Sequence, residues 1–268
     1  MSKYLFGFIG TGNMGSALAS AARQKIEGSD IILADADTNK ALELAKRLKC
    51  NTGSTQSVVT DSKFIFLGVK PQMLPDLVNE IAPLLRKRED KYIIISMVAG
   101  TGISSITGMF GFDCPVIRIM PNITASVGCG MILYCSNSLV NSDDKAEFVD
   151  NMSFSGRFDE LQESLIDAGC AVSGGGPAFV YLFIEAMADA GVECGLPREK
   201  AIEYAAQTVF GAGKLVLESG RHPGELKDAV CSPGGTTIAG VHALEDRAFR
   251  ASVINAVTAS FKRAKELG

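Results

Sequence analysis

A doubly wound α/β half followed by an all-helical half is the fold class that this sequence predicts, and three observations carry it. Short apolar runs rich in β-branched and aromatic residues alternate with helical periodicity through the N-terminal half, the rhythm of a parallel sheet covered on both faces. The first of these runs opens into a glycine-rich turn and a helix of small residues. From about Leu161 the strand-like runs stop, and helical periodicity continues to the C-terminus.

Tyr4 to Ile9 is the first predicted strand, and Gly10-Thr11-Gly12-Asn13-Met14-Gly15 leads from it into a helix beginning at Ser16. In this strand–turn–helix setting, the first glycine permits the tight turn and the second lets a pyrophosphate approach the backbone. The third lets the helix pack on the strand. The pattern predicts a Rossmann-type dinucleotide site formed by Ile9, Gly10, Thr11, Gly12, Asn13 and Met14. The second strand, Asp30 to Ala34, ends at Asp35 and Ala36, about twenty residues past Gly15, where an acidic side chain accepts hydrogen bonds from a ribose 2′-OH.

Helical stretches at Ala41 to Leu48 and Met73 to Leu85 alternate with strands at Phe64 to Val69, Tyr92 to Met97 and Val116 to Met120. Ligands of such sheets sit beyond the carboxyl ends of the strands, which makes Lys70-Pro71, Val98-Ala99-Gly100 and Pro121-Asn122 candidates. Proline and glycine also end strands for purely local reasons. Asn122 is the most distinctive of these residues, because its amide both donates to and accepts from a carboxamide such as nicotinamide's.

Ser155-Gly156-Arg157 is the expected joint, dividing a dinucleotide-binding domain at 1–156 from a helical domain at 157–268. Helices are predicted at Phe179 to Val192, Arg198 to Glu218, Thr237 to Leu244 and Phe249 to Leu267. The first of them is apolar on more than one face, as expected of a helix wrapped by others, a second subunit's included. The segment Leu226 to Glu245 places Ser, Pro, paired Gly and paired Thr before a helical pattern. A helix start leaves backbone N–H groups free and carries partial positive charge, so a small carboxylate docks there, and Gly234 and Gly235 let it come close. An ordinary cap, with Thr236 or Thr237 serving the backbone, is the alternative reading.

Bulk properties narrow the function. The 268 residues are 47% hydrophobic with a formal charge of −4, and the cations are scattered, so no nucleic-acid partner is expected. Apolar runs are short and interrupted and no cleavable apolar leader opens the chain, which predicts a cytoplasmic protein with no membrane partner. Seven cysteines without CxxC spacing and only two histidines predict free thiols and no metal site, and leave little for a Ser-His-Asp triad. Cys231, beside the Gly234–Gly235 turn, reads as a packed small side chain rather than a nucleophile. Two-domain dehydrogenases of β-hydroxy acids carry a Lys in the helix after a GxG turn, but the equivalent step from Gly174 and Gly176 lands on Val180. Reduction of a C=N bond needs no such base, since a protonated imine is already electrophilic.

The motifs GFIGTGNMG, GVKPQ, RIMPN, SGGGPAF, GLPREKA, HPGELKD and VCSPGGTTIAGVHALE span essentially the whole chain, and together they resemble the pyrroline-5-carboxylate reductases. The resemblance implies reduction of 1-pyrroline-5-carboxylate to L-proline with NADPH or NADH, the final step of proline biosynthesis. It also implies homodimers with intertwined helical domains that often assemble into larger rings, a decamer among them. By position it assigns Gly10 to Met14, Val69 to Pro71 and Met97 to Ala99 to the cofactor. Glu163, Gly175 and Gly234 to Thr237 fall to substrate, with the Thr237 hydroxyl on the ring nitrogen and the N–H groups near Gly235 and Thr236 on the carboxylate.

Three departures from the family pattern stand out. Gly175 replaces a second serine and Phe179 a tyrosine. Asp35 and Ala36 stand where many members carry a partner for the NADPH 2′-phosphate; Asp35 would repel that phosphate, so relaxed or NADH-leaning preference is expected. The segment Asn151 to Leu161 matches the family loosely. Two other readings keep the fold: an enzyme for the six-membered imine homologue, and a dinucleotide-sensing module without catalysis.

Overall fold

The chain, described over residues 2–267 by a computed structural model, begins with β1 (Tyr4–Ile9), α1 (Asn13–Ala22), β2 (Ile31–Ala34) and α2 (Thr38–Leu48). There follow β3 (Asn51–Thr52), α3 (Thr55–Asp61), β4 (Ser62–Leu67), α4 (Leu74–Leu85), β5 (Ile93–Ser96) and α5 (Ile103–Phe110). Next come β6 (Val116–Met120), β7 (Gly130–Ser136), α6 (Ser142–Asn151), β8 (Gly156–Glu160) and α7 (Glu163–Ser173). The strands form one sheet in the order β3-β2-β1-β4-β5-β6-β7-β8, parallel except where β7 runs against β6. The direction of strand succession reverses between β1 and β4, and open sheets of this kind bind ligands in the crevice outside such a reversal.

The period-2 pattern of each strand divides the core between the two faces of the sheet. Phe6, Phe8, Phe64 and Phe66 point one way with Ile31, Leu33, Ile93 and Ile95, and are covered by Leu18, Ala19 and Ala22 of α1 and by Leu44 of α2. Ile9, Ile32, Ile65, Leu67 and Ile94 point the other way, under α3, α4, α5 and Ile166 of α7. Phe8 and Phe66 stack with ring centroids 4.1 Å apart and planes 15° from parallel. This tie fastens β1 to β4 directly beneath the reversal.

Three features differ from the expected pattern. The first helix starts at Asn13, inside the glycine motif, with Gly12 as its N-cap. β7 and β8 extend the sheet, and α3, α5 and α6 fill connections that show no strong periodicity. Residues 157–175 also join the sheet: β8 pairs with β7 from Gly130↔Gly156 to Tyr134↔Glu160, and Ile166 of α7 lies in the core. The chain therefore divides into compact units at Gly175/Gly176, not at 156/157.

The second unit, residues 176–260, carries α8 (Gly176–Glu193), α9 (Arg198–Ser219), α10 (Pro223–Ala229) and α11 (Thr236–Asp246), with the greater part of α12 (Phe249–Leu267). α8 and α9 form a hairpin that turns at Gly195, whose φ is +100°, and they pack through Ala188, Ala201 and Ala205. Small residues let the helices approach closely but bury little apolar surface. Leu182, Phe210, Leu217 and Ile254 remain more than half exposed. The stretch Glu163–Glu193 is long and apolar enough by length and composition to cross a membrane, yet only 6% of its most apolar window is buried within the chain.

Because the Phe8–Phe66 stack lies in a fully buried face, Phe66→Ala should destabilise the protein by about 3–5 kcal/mol. Denaturant unfolding of the variant beside the parent chain checks this; a shift well under 1 kcal/mol would show that the face is loosely packed.

Candidate active site

The candidate region of the sheet unit is a meeting of backbones at the carboxyl ends of β1, β4 and β5. Gly10 adopts φ +99°, and a Cβ built there would lie 2.4 Å from the carbonyl oxygen of Gly68. One built on Gly15 would lie 2.1 Å from the carbonyl oxygen of Gly10. Only glycine fits either position, so the chain can turn at Gly10 and α1 can close on the turn. Gly12 is different, with nothing within 4 Å of its Cβ position. Its bare backbone faces open space at the N-terminus of α1, where no side chain caps the helix. That cradle fits a dinucleotide diphosphate, which needs close backbone approach and free N–H groups.

Asp35 is turned inward onto this loop. Its Oδ2 accepts from the Thr11 amide at 2.6 Å and the Thr11 hydroxyl at 2.9 Å, while Oδ1 accepts from the Asp37 amide at 2.9 Å. Burial alone would raise its pKa, but the amides of Thr11 and Asp37, the Thr11 hydroxyl and the nearby Lys40 outweigh that and hold it below the usual carboxylate value. Asp35 thus fastens β2 to the glycine loop as a charged group. Ala36, beside it, is exposed.

Around the crevice, Val69 is half-buried, Lys70 and Pro71 are exposed at the end of β4, and Met97 follows β5 with its Sδ 3.6 Å from the Cβ position of Gly68. Val98 buries its side chain at 1% exposure, so it offers only backbone to a ligand. Asn122 is committed within the protein: its Nδ2 donates to the Ser173 carbonyl at 2.9 Å, and its Oδ1 accepts from the Thr124 hydroxyl at 2.8 Å and the Met131 amide at 3.3 Å. Its amide ties the end of β6 to the Ser173-Gly174-Gly175 turn rather than waiting for a carboxamide. Glu163, the first residue of α7, likewise works inside the fold. Its Oε1 accepts from the Ile103 amide at 2.6 Å, capping α5, and lies 3.5 Å from Arg118 Nη1. Arg118 is 4% exposed and also pairs with Asp167 at 3.2 Å.

A separate candidate region stands on the helical unit. Ser232-Pro233-Gly234-Gly235 forms a β-turn in which the Gly235 amide donates to the Ser232 carbonyl at 3.0 Å. Proline at the second position and Gly234 at φ +68° in the third fit a type II turn. Gly235 then becomes the N-cap of α11, and a Cβ there would strike Ser232 Oγ at 2.7 Å. No side chain caps this helix, so neither threonine serves as the cap. Thr236 and Thr237 are exposed in the first turn, beside free N–H groups.

The first unit therefore gathers Ile9 to Met14, Asp35, Val69 to Pro71, Met97 to Ala99, Asn122 and Glu163, with Gly175 at its end; the second carries Gly234 to Thr237. Arg118 escaped the sequence reading, although an arginine inside the apolar run VIRIM is a signal of a buried ion pair. The cysteines supply no nucleophile in the sheet: burial pushes the thiols of Cys50, Cys114 and Cys135 up to about 11.

A glycine loop at a sheet reversal, opening onto the uncapped start of α1, defines the class as a dinucleotide-dependent oxidoreductase. Residues 5–100 match the family described as NADP oxidoreductase, coenzyme F420-dependent, and residues 163–267 match that described as pyrroline-5-carboxylate reductase dimerisation. The chain is 40% identical over 265 residues to the pyrroline-5-carboxylate reductase of Escherichia coli, covering 97% of each sequence. It is also 40% identical to pyrroline-5-carboxylate reductase 3 of Danio rerio, over 98% of this chain and 91% of the relative. The crystal structure of Plasmodium falciparum pyrroline carboxylate reductase with NADP bound superposes with a TM-score of 0.86 at 34% identity, covering 100% of this chain and 99% of that one. The chain belongs to the pyrroline-5-carboxylate reductase family, and its dimerisation domain makes it a homo-oligomer.

The Asp35–Thr11 tie has a definite pH signature. Since the folded-state pKa of Asp35 is lowered, its stabilisation is present above the ordinary carboxylate range and is lost as pH falls through the folded value. Urea unfolding of the parent chain and Asp35→Asn should differ at neutral pH, with the difference closing towards about pH 2. A gap that stays constant with pH would contradict the tie.

Proposed function

We propose that this chain reduces 1-pyrroline-5-carboxylate to L-proline with NAD(P)H, as the last step of proline biosynthesis. The observation that carries this reading is the glycine-only, uncapped start of α11, built to take a small carboxylate beside a threonine hydroxyl. Ile9 to Met14 hold the dinucleotide diphosphate, while Val69 to Pro71 and the backbone of Met97 to Ala99 line the crevice for the rest of it. Asp35 and Ala36 bound its adenosine end. When bound, the reduced nicotinamide supplies the hydride.

The remaining work is binding and orientation. The free N–H groups of Thr236 and Thr237, just past the Gly235 N-cap, hold the substrate carboxylate at the positive end of α11. Thr237 hydrogen-bonds the ring nitrogen and so fixes which face of the C=N bond meets the nicotinamide. The position where β-hydroxy-acid dehydrogenases carry a lysine is Val180, which suits a protonated imine that needs no base. Gly175, where the family pattern has a second serine, brings no side chain to substrate binding. Glu163 and Asn122 act one step away, holding α5 and the Ser173 turn.

The exposed apolar faces of α8, α9 and α12 support a homodimer with intertwined helical domains, of the kind that assembles into larger rings such as a decamer. In that arrangement the helices of residues 176–260 serve substrate and partner, and the sheet unit serves dinucleotide. The apolar stretch Glu163–Glu193 then meets protein rather than lipid, consistent with a cytoplasmic enzyme.

NAD(P)H oxidation followed with pyrroline-5-carboxylate and its six-membered homologue side by side tests the reaction. Consumption with the five-membered ring is expected, and none with either ring would overturn it in favour of a dinucleotide sensor. Thr237→Val should lose about 1–3 kcal/mol of transition-state binding, roughly 5- to 150-fold in kcat/KM. Unchanged kcat/KM would remove Thr237 from the site. Gly235→Ala, by driving Ser232 aside, should raise KM for the imine acid while the dissociation constant of NADPH holds; parallel changes in both would argue for a general structural fault.

A further inference from the structure

The glycine loop does not end at the diphosphate cradle. A groove of about 720 Å³ runs from Gly12 and Asn13 along the outer side of α1, lined by the hydroxyl residues Thr11, Ser16, Ser20 and Ser126 and by Lys40 and Arg47 of α2. A narrower hollow of about 360 Å³ shares Thr11, Ser16, Lys40 and Arg47, with Glu43 as its single carboxylate. Lys40 and Arg47 lie seven positions apart, on one face of α2, so both cations are presented towards the same flank of α1. Lys40 is loosely engaged: its nearest acidic partner, Asp37, is 3.8 Å away and its side chain is 63% exposed. Four hydroxyls and two cations against the single carboxylate of Glu43 in the lining favour an anion, and the groove is continuous with the diphosphate cradle at Gly12 and Asn13.

The carboxylate expected to oppose an anion here does not face outward alone. Both oxygens of Asp35 accept hydrogen bonds from Thr11 and Asp37, and Lys40 lies near enough to lower its pKa. The repulsion anticipated from Asp35 is therefore reduced, chiefly by these hydrogen bonds and further by Lys40, one of the two cations that line the groove.

We propose that Lys40 and Arg47 seat the 2′-phosphate of NADPH and decide between the phosphorylated and unphosphorylated cofactors. The assignment rests on the dinucleotide reading of the Gly10–Gly15 loop. Arg47 contributes mainly long-range charge and Lys40 the nearer contact, so Lys40→Ala has the larger effect.

Calorimetric binding of two cofactor fragments, ADP-ribose and 2′-phospho-ADP-ribose, to the full-length protein separates the two ideas. The phosphorylated fragment should bind the parent chain more tightly, and Lys40→Ala should reduce that ratio of affinities about tenfold. Lys40→Ala/Arg47→Ala should bring the ratio close to one, and added salt should weaken the phosphorylated fragment selectively in the parent chain. An unchanged ratio in the double variant, or no advantage for the phosphorylated fragment in the parent, would overturn the assignment and leave the dinucleotide site standing. Failure of both fragments to bind would overturn the dinucleotide reading and this proposal together. Both side chains are exposed, and retained ADP-ribose binding confirms a folded variant in the same titration.

Discussion

Everything in the sheet unit depends on how closely Gly10 can approach Gly68. The two backbones close the reversal between β1 and β4, and even one extra carbon at Gly10 would overlap the Gly68 carbonyl. With the approach made, α1 packs down through Gly15 and its N-terminus is aimed over the ends of the strands. The Phe8–Phe66 stack holds the same two strands from beneath, and the Thr11–Asp35 hydrogen bonds hold the loop from the β2 side. Sterics thus create the cradle, and burial and charge keep it in place.

The chemistry is divided by the same logic. Hydride donation belongs to a cofactor that needs a rigid backbone, and the sheet unit supplies rigidity. Recognition of a small imine acid needs a concentrated positive potential without a competing base, and in the proposed site the uncapped start of α11 is the element suited to it. The type II turn at Ser232–Gly235 is the counterpart of the Gly10 turn: both use a glycine of positive φ to expose the start of a helix. The two turns are alike in physics and unlike in ligand, one suited to a diphosphate and the other to a carboxylate.

Much of this was legible in the sequence where a residue's role is set locally. The glycine loop, the ends of β2, β4, β5 and β6, and the SPGGTT turn declare themselves through φ, chain reversal and the absence of Cβ. Residues whose partners lie far along the chain did not. Asn122 is suited to a carboxamide on paper, yet its amide is satisfied by Ser173, Thr124 and Met131. Glu163 caps a helix that begins sixty residues earlier. β8 was hidden because an edge strand of sequence GRFDE is largely exposed and carries no strong apolar alternation. The boundary shifted from 156 to 175 for the same reason, since pairing with β7 rather than composition decides where residues 157–175 belong.

The central claim is that one chain carries two helix-start anion sites of different size, and a crystal structure with NADPH and L-proline bound tests it most directly. The diphosphate is expected over Gly10 to Asn13, the proline carboxylate on the amides of Thr236 and Thr237, and the ring nitrogen at the Thr237 hydroxyl. A proline carboxylate paired instead with a lysine or arginine side chain, away from the start of α11, would contradict it.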